Sequence, residues 1–389
     1  ADSVKEVVQV AADLGAQNKE SLGSVFKNAD KADDLNEVMQ VAAKALGTDD
    51  GSGTKKLGSE QASVMASTLQ NADKADSMKS VMDDAASMGI QDGTNLTSVF
   101  QNADQADDLK EVMNVAKLTL GSVNEKGEKV FDSRQASILS ATLQNADQAS
   151  SVKSNIAVSA SLGLQNSDSL TSQFQNADQA GSMKSNLEDA QELGLQDAAN
   201  LATFFDNADQ SDSLKAMMTL AKDTGAVTNL GTVLKNAEKA TDLVTISSKA
   251  GGDGDLLNTV FASAEQATDL VAIVAAADEA NLNGASVDVT NLLVNAEKAT
   301  TLNELAQVAS SAGGDDGKTD LLSEIFGNAD KADDLAKVME KSGGDIETQK
   351  AILRSAEQAD SLAQAVDEAV STDFTNFLAV VVQVDEKKQ

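Results

Sequence analysis

The sequence predicts an all-α fold, an α-solenoid of about twelve stacked helical hairpins. Three observations predict it. An eight-residue motif recurs along the whole chain, the segments on both sides of it have helical periodicity, and proline is absent from all 389 residues. Motifs that return every 20 to 50 residues or so are typical of repeat arrays. Because proline normally makes up about 5% of residues, its absence favours helix nearly throughout.

The recurring motif, which we call the octet, reads NADQADDL at residues 102–109. Its second position is always Ala, its third is Asp or Glu, its fourth is Lys or Gln, and its fifth is Ala except at Ser211. Successive copies start 27–43 residues apart, and each marks one repeat. The eleven copies start at Asn28, Asn71, Asn102, Asn145, Asn176, Asn207, Asn236, Ser263, Asn295, Asn328 and Ser355.

Helices are predicted on both sides of each octet, helix A before it and helix B after it. The sixth octet position, such as Asp107, is Asp, Ser, Thr or Gly. These residues favour a helix N-cap, so we expect helix B to start there. One hairpin cannot bury both of its apolar stripes, so neighbouring hairpins must stack. In the third repeat the stripes are Leu96, Val99, Phe100 and Ala103 in helix A, and Leu109, Val112, Met113 and Ala116 in helix B.

Each end of the sequence carries half a hairpin. Residues 1–20 predict a half repeat with helix B only, and residues 372–389 predict a terminal half repeat with helix A only. A single continuous helical-repeat solenoid over residues 1–389 is expected between them. Copies with such ends can complete a hairpin head-to-tail, a heterologous contact of the kind that gives open filaments. The expected self-assembly interface comprises Val4, Val7, Val8, Phe374, Phe377, Leu378, Val381 and Val382.

The last apolar segment has other interpretations. Residues 374–384 could fold back as an ordinary hydrophobic cap, and the run 378–384 is rich enough in valine to form a strand. The sequence could also be a piece of a longer repeat protein, or a mature chain that follows a removed leader. Each of these alternatives leaves the helical repeat itself unchanged.

The charge balance limits the partners. The formal net charge is −32 and the pI is about 4.2, which argues against binding nucleic acid or an anionic membrane surface. No run reaches the roughly 18 apolar residues of a membrane span. This acidity suits the outside of a cell, so we expect an extracellular or cell-surface location. Cysteine is absent, which excludes disulfides and thiolate metal sites.

Loops rich in Gly and Asp, between helix B and the next helix A, are the one pattern with recognisable site chemistry. Calcium binds carboxylate and carbonyl oxygens in flexible loops, although no loop here matches the EF-hand pattern. A structural interpretation explains the same residues, because Gly ends helices and Asp caps them. We expect no cofactor other than calcium. The calcium candidates are Asp253, Asp255, Asp315, Asp316 and Asp320, with Asp49, Asp50 and Glu60 at the first insertion.

Three other recurring residue types have structural interpretations. We call the turn between helix A and helix B the corner of each repeat. Asn at the first octet position predicts a row of hydrogen bonds between successive corners. The acidic and Lys or Gln residues at positions three and four predict a solvated corner. The methionines of helix B are expected to fill gaps in the core. These methionines are Met39, Met78, Met113, Met183 and Met217.

The sequence offers little for catalysis, since it contains no His, Cys or Tyr and spreads its carboxylates evenly through the repeat. We therefore expect no enzyme. The leading expectation is a structural subunit of an extracellular or cell-surface filament, whose partner is a second copy joined head-to-tail. The alternative is an adhesin-like or stalk module of a longer surface protein. Such a module would bind protein, glycan or calcium through its edge loops.

Overall fold

The computed structural model describes residues 2–49, 55–123, 129–341 and 344–368. Within them the chain is almost entirely helical, which confirms the predicted all-α class and the helical repeat. The chain divides into two compact units, Ala1–Lys215 and Ala216–Gln389. The expected single continuous stack over residues 1–389 stays a prediction.

Helices of type A and type B alternate through the first unit. The type A helices are α2 (Lys19–Lys27), α4 (Ser59–Gln70), α6 (Gly93–Gln101), α8 (Ser133–Gln144), α10 (Ser167–Gln175) and α12 (Ala198–Asp206). The type B helices are α1 (Asp2–Asp13), α3 (Ala32–Leu46), α5 (Ala75–Ser87), α7 (Ala106–Leu120), α9 (Ala149–Ser161) and α11 (Ala180–Glu192). Helix α13 (Ser211–Thr224), also of type B, contains the boundary between the units.

The second unit continues the repeat with helices of more varied length, from 6 residues in α14 to 29 in α19. It contains α14 (Leu230–Lys235), α15 (Ala240–Ser247), α16 (Gly254–Ala262), α17 (Ala267–Leu282), α18 (Val289–Val294), α19 (Ala299–Gly327), α20 (Ala332–Glu340), α21 (Ile346–Arg354) and α22 (Ala359–Glu368). A short 3₁₀ turn, Ser248–Ala250, follows α15.

The two long insertions of the first unit each contain a small antiparallel pair of strands. Strand β1 (Thr48–Asp49) pairs with β2 (Lys55–Lys56), and β3 (Ser122–Val123) pairs with β4 (Lys129–Val130). Both pairs connect a helix B to the following helix A. The insertions therefore occupy equivalent places in two repeats that are 74 residues apart, counted from Thr48 to Ser122.

In neighbouring repeats, A helices pack against A helices and B helices pack against B helices. In the first unit each helix A contacts the next helix A, from α2 through α4, α6, α8 and α10 to α12. Each helix B likewise contacts the next helix B, from α1 to α11. In the second unit α14 contacts α16 and α15 contacts α17. The predicted apolar stripes are buried between these helices, with Phe100 and Met113 fully enclosed. All five predicted core methionines are buried.

The corner differs from the prediction. Octet positions two to four form a turn of 3₁₀ helix in all eleven copies, and helix B starts at position five. The predicted N-cap at position six is therefore wrong, because that residue already lies in the first turn of helix B. Asp107, for example, belongs to α7, which begins at Ala106. Its carboxylate is free to bind a neighbouring repeat.

The Asn at the first octet position acts within its own helix. In each of the nine copies that have it, Nδ2 donates to the carbonyl of the residue four positions earlier, as Asn102 does to Ser98 at 2.9 Å. In eight of the nine copies the same carbonyl also accepts the backbone N–H of that Asn, so the side chain adds a second bond at the end of helix A. The predicted row of hydrogen bonds between successive corners is wrong for this side chain.

One predicted loop is helical. The sequence predicts a break at Gly313–Gly317, yet α19 runs without interruption for 29 residues and joins a helix B to a helix A. Neither Gly313 nor Gly317 has a positive φ. A Cβ on Gly313 would lie 2.6 Å from the backbone N of Lys318, so the close approach at this point requires glycine. Glycine costs only about 1 kcal/mol in a helix, and packing of α19 against α17 and α21 outweighs it.

Candidate functional site

Helix α2, the first helix A in the chain, carries an apolar stripe that lacks cover. Phe26 is 61% exposed. Ala29 is also exposed, and Leu22 is half-buried. The three residues are spaced i, i+4 and i+7, so they share one side of the helix.

The equivalent residues of other repeats are covered. Phe26 lies two residues before its octet, and the residue at that place has no exposed surface in any of the ten other copies. Ala29 occupies the second octet position, which is also buried in all ten. The ten residues equivalent to Phe26 are Leu69, Phe100, Leu143, Phe174, Phe205, Leu234, Phe261, Leu293, Phe326 and Leu353.

Helix α1 shows the same loss of cover. Val4 and Val8 are half-buried and pack only partly against the core of the first unit. Their equivalents in α3, Leu35 and Met39, are fully buried. We call Val4, Val8, Leu22, Phe26 and Ala29 together the end face.

The packing order explains the end face. In the first unit, each of the helices α4, α6, α8, α10 and α12 contacts the helix A that precedes it. Helix α2 is the first A helix in the sequence, and α1 is a helix B without its own helix A. One further helix A would contact α2 as a neighbour and α1 as its hairpin partner. The end face therefore has the residue types of the contacts between successive A helices inside the first unit.

The predicted self-assembly residues fall in three places. Val4 and Val8 lie on the end face, whereas Val7 is fully buried in the core. The predicted C-terminal residues, Phe374, Phe377, Leu378, Val381 and Val382, lie outside the described residues. Sequence reasoning missed Leu22, Phe26 and Ala29. Comparing each with its counterpart at the same octet position would have found them, because these positions need a preceding helix A.

Side chains at octet position four connect successive corners. Lys31 Nζ lies 2.8 Å from Asp76 Oδ1, which belongs to position six of the next octet. Lys74 binds Asp107 in the same way. At three repeats where position four is Gln, the amide oxygen accepts a backbone N–H of the next corner, as Gln179 Oε1 does from Asp212 N at 3.1 Å. The predicted solvated corner is therefore wrong for position four, while the acidic third position is exposed in every copy.

These ion pairs shift the ionisation of both partners. The hydrogen bond from Lys31 lowers the pKa of Asp76, and the bonds from Lys74 and Ser77 lower the pKa of Asp107. The pKa values of Lys31 and Lys74 are raised in turn by the same carboxylates. A carboxyl with a lowered folded-state pKa stabilises the fold above its unfolded pKa of about 4, and the effect disappears as the pH falls through the folded value.

Replacing Asp107 by Asn is expected to lower the free energy of unfolding at pH 7 by about 0.5–1 kcal/mol, since the pair is partly exposed. The difference between the variant and the wild type should shrink as the pH falls through the lowered folded-state pKa of Asp107, because the carboxyl is then protonated in both folded and unfolded chains. Urea denaturation followed by circular dichroism measures both values. Asp104→Asn is the control, because Asp104 is exposed and has no ion pair among the described residues. An equal loss in both variants would contradict the pairing.

The calcium candidates are distributed over several elements of the fold. Asp253 caps α16, its carboxylate accepting from the backbone N of Asp255 and Leu256, both at 3.0 Å. Gly251 and Gly252 precede it with φ of +62° and +82°, as the structural interpretation of this loop predicts. Asp315, Asp316 and Asp320 lie in α19, not in a loop. Asp49 is in β1, Glu60 is in α4, and Asp50 lies outside the described residues. Within the described ranges no group of three or more acidic residues has metal-binding geometry.

Two polar grooves lie along the A helices of the first unit. The larger, about 750 Å³, is bordered by α4, α6 and α8, and the smaller, about 410 Å³, by α8, α10 and α12. Both use the same octet-related positions, so they are copies of one feature. The shared lining consists of Thr97, Ser98, Gln101, Asn102 and Asp147 in the first groove, and Thr171, Ser172, Gln175, Asn176 and Asp209 in the second. Hydroxyl and amide groups dominate the walls of the first groove, while the second groove adds the charged side chains of Arg134, Asp168 and Asp206.

Among the described residues, no single helix has both the length and the apolarity to cross a membrane. One bent pair of helical segments, Gly254–Ala262 and Ala264–Leu282, meets these criteria only when the two segments are combined across their 77° bend. The sequence matches no known family model, no curated protein and no solved structure.

Proposed function

We propose that this chain is a structural subunit of an extracellular or cell-surface filament. In the filament, the helix A predicted at residues 372–389 of one copy covers the end face of the next, so that the hairpins stack as one continuous solenoid through both copies. The observation that supports the proposal is the 61% exposure of Phe26, whose ten counterparts are fully buried by neighbouring helices.

The energetics favour such a contact. Burying one exposed Phe side chain contributes about 1.5–3 kcal/mol, and the other residues of the end face add to it. The incoming segment supplies matching apolar residues, because Phe374, Phe377 and Leu378 repeat the stripe of helix A. The net charge of −32 opposes association between copies. Assembly should therefore strengthen as salt screens this repulsion, from about 10 mM to physiological ionic strength.

Electron microscopy and sedimentation of the full chain test the proposal. The wild type should form filaments near physiological salt, and two variants should not: Phe26→Asp, which places a charge on the end face, and a chain that stops after Ser371. Leu118→Asp is the matched control, because Leu118 is 74% exposed on α7 and lies outside the end face. Wild-type filaments that persist in Phe26→Asp, or a wild type that stays monomeric in every salt, would overturn the proposal.

The second candidate is an adhesin-like or stalk module in a longer surface protein. The two matching grooves favour it, since hydroxyl and amide side chains suit the hydroxyl groups of a glycan. In such a protein a preceding repeat would cover the end face within one chain. Replacing Thr97 and Thr171 by Phe would place a bulky apolar ring on the wall of each groove, and binding to a panel of immobilised glycans should then weaken. Wild-type protein that binds no glycan would exclude this use of the grooves.

A further inference from the structure

Four contacts between A helices share one kind of hydrogen bond. A side chain three or four residues before one octet donates to a backbone carbonyl one or two residues before the next octet. Ser98 Oγ donates to the carbonyl of Gln144 at 2.7 Å, and Thr142 Oγ1 donates to that of Phe174 at 3.0 Å. The contact between α4 and α6 has the same bond, from Ser67 to the carbonyl of Gln101 at 3.4 Å.

The second unit repeats this register with an amide as donor. Asn291, four residues before its octet, donates Nδ2 to the carbonyl of Phe326 at 2.8 Å and approaches that of Gly327 at 3.3 Å. The bond therefore does not depend on a hydroxyl. It depends on a short polar side chain three or four residues before the octet in the preceding helix A.

The end face offers the corresponding acceptors. Phe26 and Lys27 lie two residues and one residue before their octet, so their carbonyls are the counterparts of those of Phe326 and Gly327. The stripe of residues 374–384 can be placed on the stripe of α6 by matching Phe374 to Leu96 and Leu378 to Phe100. In this alignment Asn376 corresponds to Ser98, and therefore to Asn291, four residues before the octet.

We propose that the end face accepts the terminal helix A of a second copy in this one register, with Asn376 Nδ2 donating to the carbonyl of Phe26 or Lys27. The apolar stripe supplies most of the contact, and the Asn376 bond selects the register because a shift of one helical turn would leave the amide without its acceptor. This inference rests on the proposed function and adds to it the alignment of the two copies.

Disulfide cross-linking tests the register, since the chain contains no cysteine of its own. Lys27→Cys is combined in turn with Thr372→Cys, Asn376→Cys and Val380→Cys, three positions spaced by about one helical turn. Oxidation should join copies fastest in the Asn376→Cys pair. The same-chain pair Ser98→Cys with Gln144→Cys sets the rate expected for a correct register, and Asn102→Cys with Gln144→Cys sets the rate for one that is a turn away.

The outcomes separate the register from the filament. Filaments whose fastest cross-link is at Thr372→Cys or Val380→Cys would overturn the register and leave the filament standing. A wild type without filaments would overturn both. In a second measurement, Asn376→Ala should raise the critical concentration for assembly about two- to tenfold, the effect of one hydrogen bond. An unchanged critical concentration would contradict the role of Asn376 even if the cross-link were found.

Discussion

Phe100→Ala is expected to lower the free energy of unfolding by about 3–5 kcal/mol, while Phe26→Ala should change it by less than about 1 kcal/mol. The two residues have the same identity and the same place before their octets. They differ in cover, because Phe100 is fully buried and Phe26 is 61% exposed. Removing Phe100 leaves a cavity between neighbouring A helices, whereas removing Phe26 leaves none.

Circular dichroism in urea is the suitable measurement, because the chain has no Trp or Tyr whose fluorescence could report unfolding. The Phe100→Ala and Phe26→Ala variants should be compared at low protein concentration and low salt, where copies of the chain do not associate. Under assembling conditions the cost of Phe26→Ala should rise, since a partner that binds only the folded chain stabilises it by mass action. A large cost for Phe26→Ala in dilute solution would mean that the end face is already covered within one copy, and would contradict the exposure on which the filament rests.

The octet made the repeat predictable from sequence. Its spacing and the stripes on each side identify helix A, helix B and the buried residues correctly, as Leu96 and Met113 show. The structure of the corner was harder to predict from sequence, because Asp at the sixth position is equally compatible with an N-cap and with the first turn of a helix. A backbone is needed to see that a 3₁₀ turn comes first and that Asp107 then binds Lys74 of the preceding repeat.

Other features depend on neighbours that are distant in sequence. The glycines near Gly313 predict a loop by local rules, but the surrounding helices keep α19 continuous. The end face is a different case, because Phe26 has the sequence context of a core residue and is nevertheless 61% exposed. Local pattern gives the identity of such a residue, while its role depends on what packs beside it.

The Gln173→Met variant is expected to raise the free energy of unfolding by about 1–3 kcal/mol, the cost of burying an amide without partners. Gln173 lies in α10, three residues before its octet, and is only 3% exposed. Neither its Oε1 nor its Nε2 has a hydrogen-bond partner. The same place is apolar in α6, where Val99 occupies it. Methionine has a similar length and flexibility, so it fills the space without polar atoms.

The control for Gln173→Met is Thr142→Val, at the equivalent place in α8. The Thr142 hydroxyl is buried like the amide of Gln173, but it donates to the carbonyl of Phe174. Its removal should therefore lower the free energy of unfolding by about 0.5–1.5 kcal/mol, the usual net value of one hydrogen bond. Opposite signs for the two variants would establish that satisfaction of the polar group, rather than burial, decides stability at this position. A loss of stability in Gln173→Met would mean that an ordered water serves the amide, which would make Gln173 a structural polar residue like Thr142.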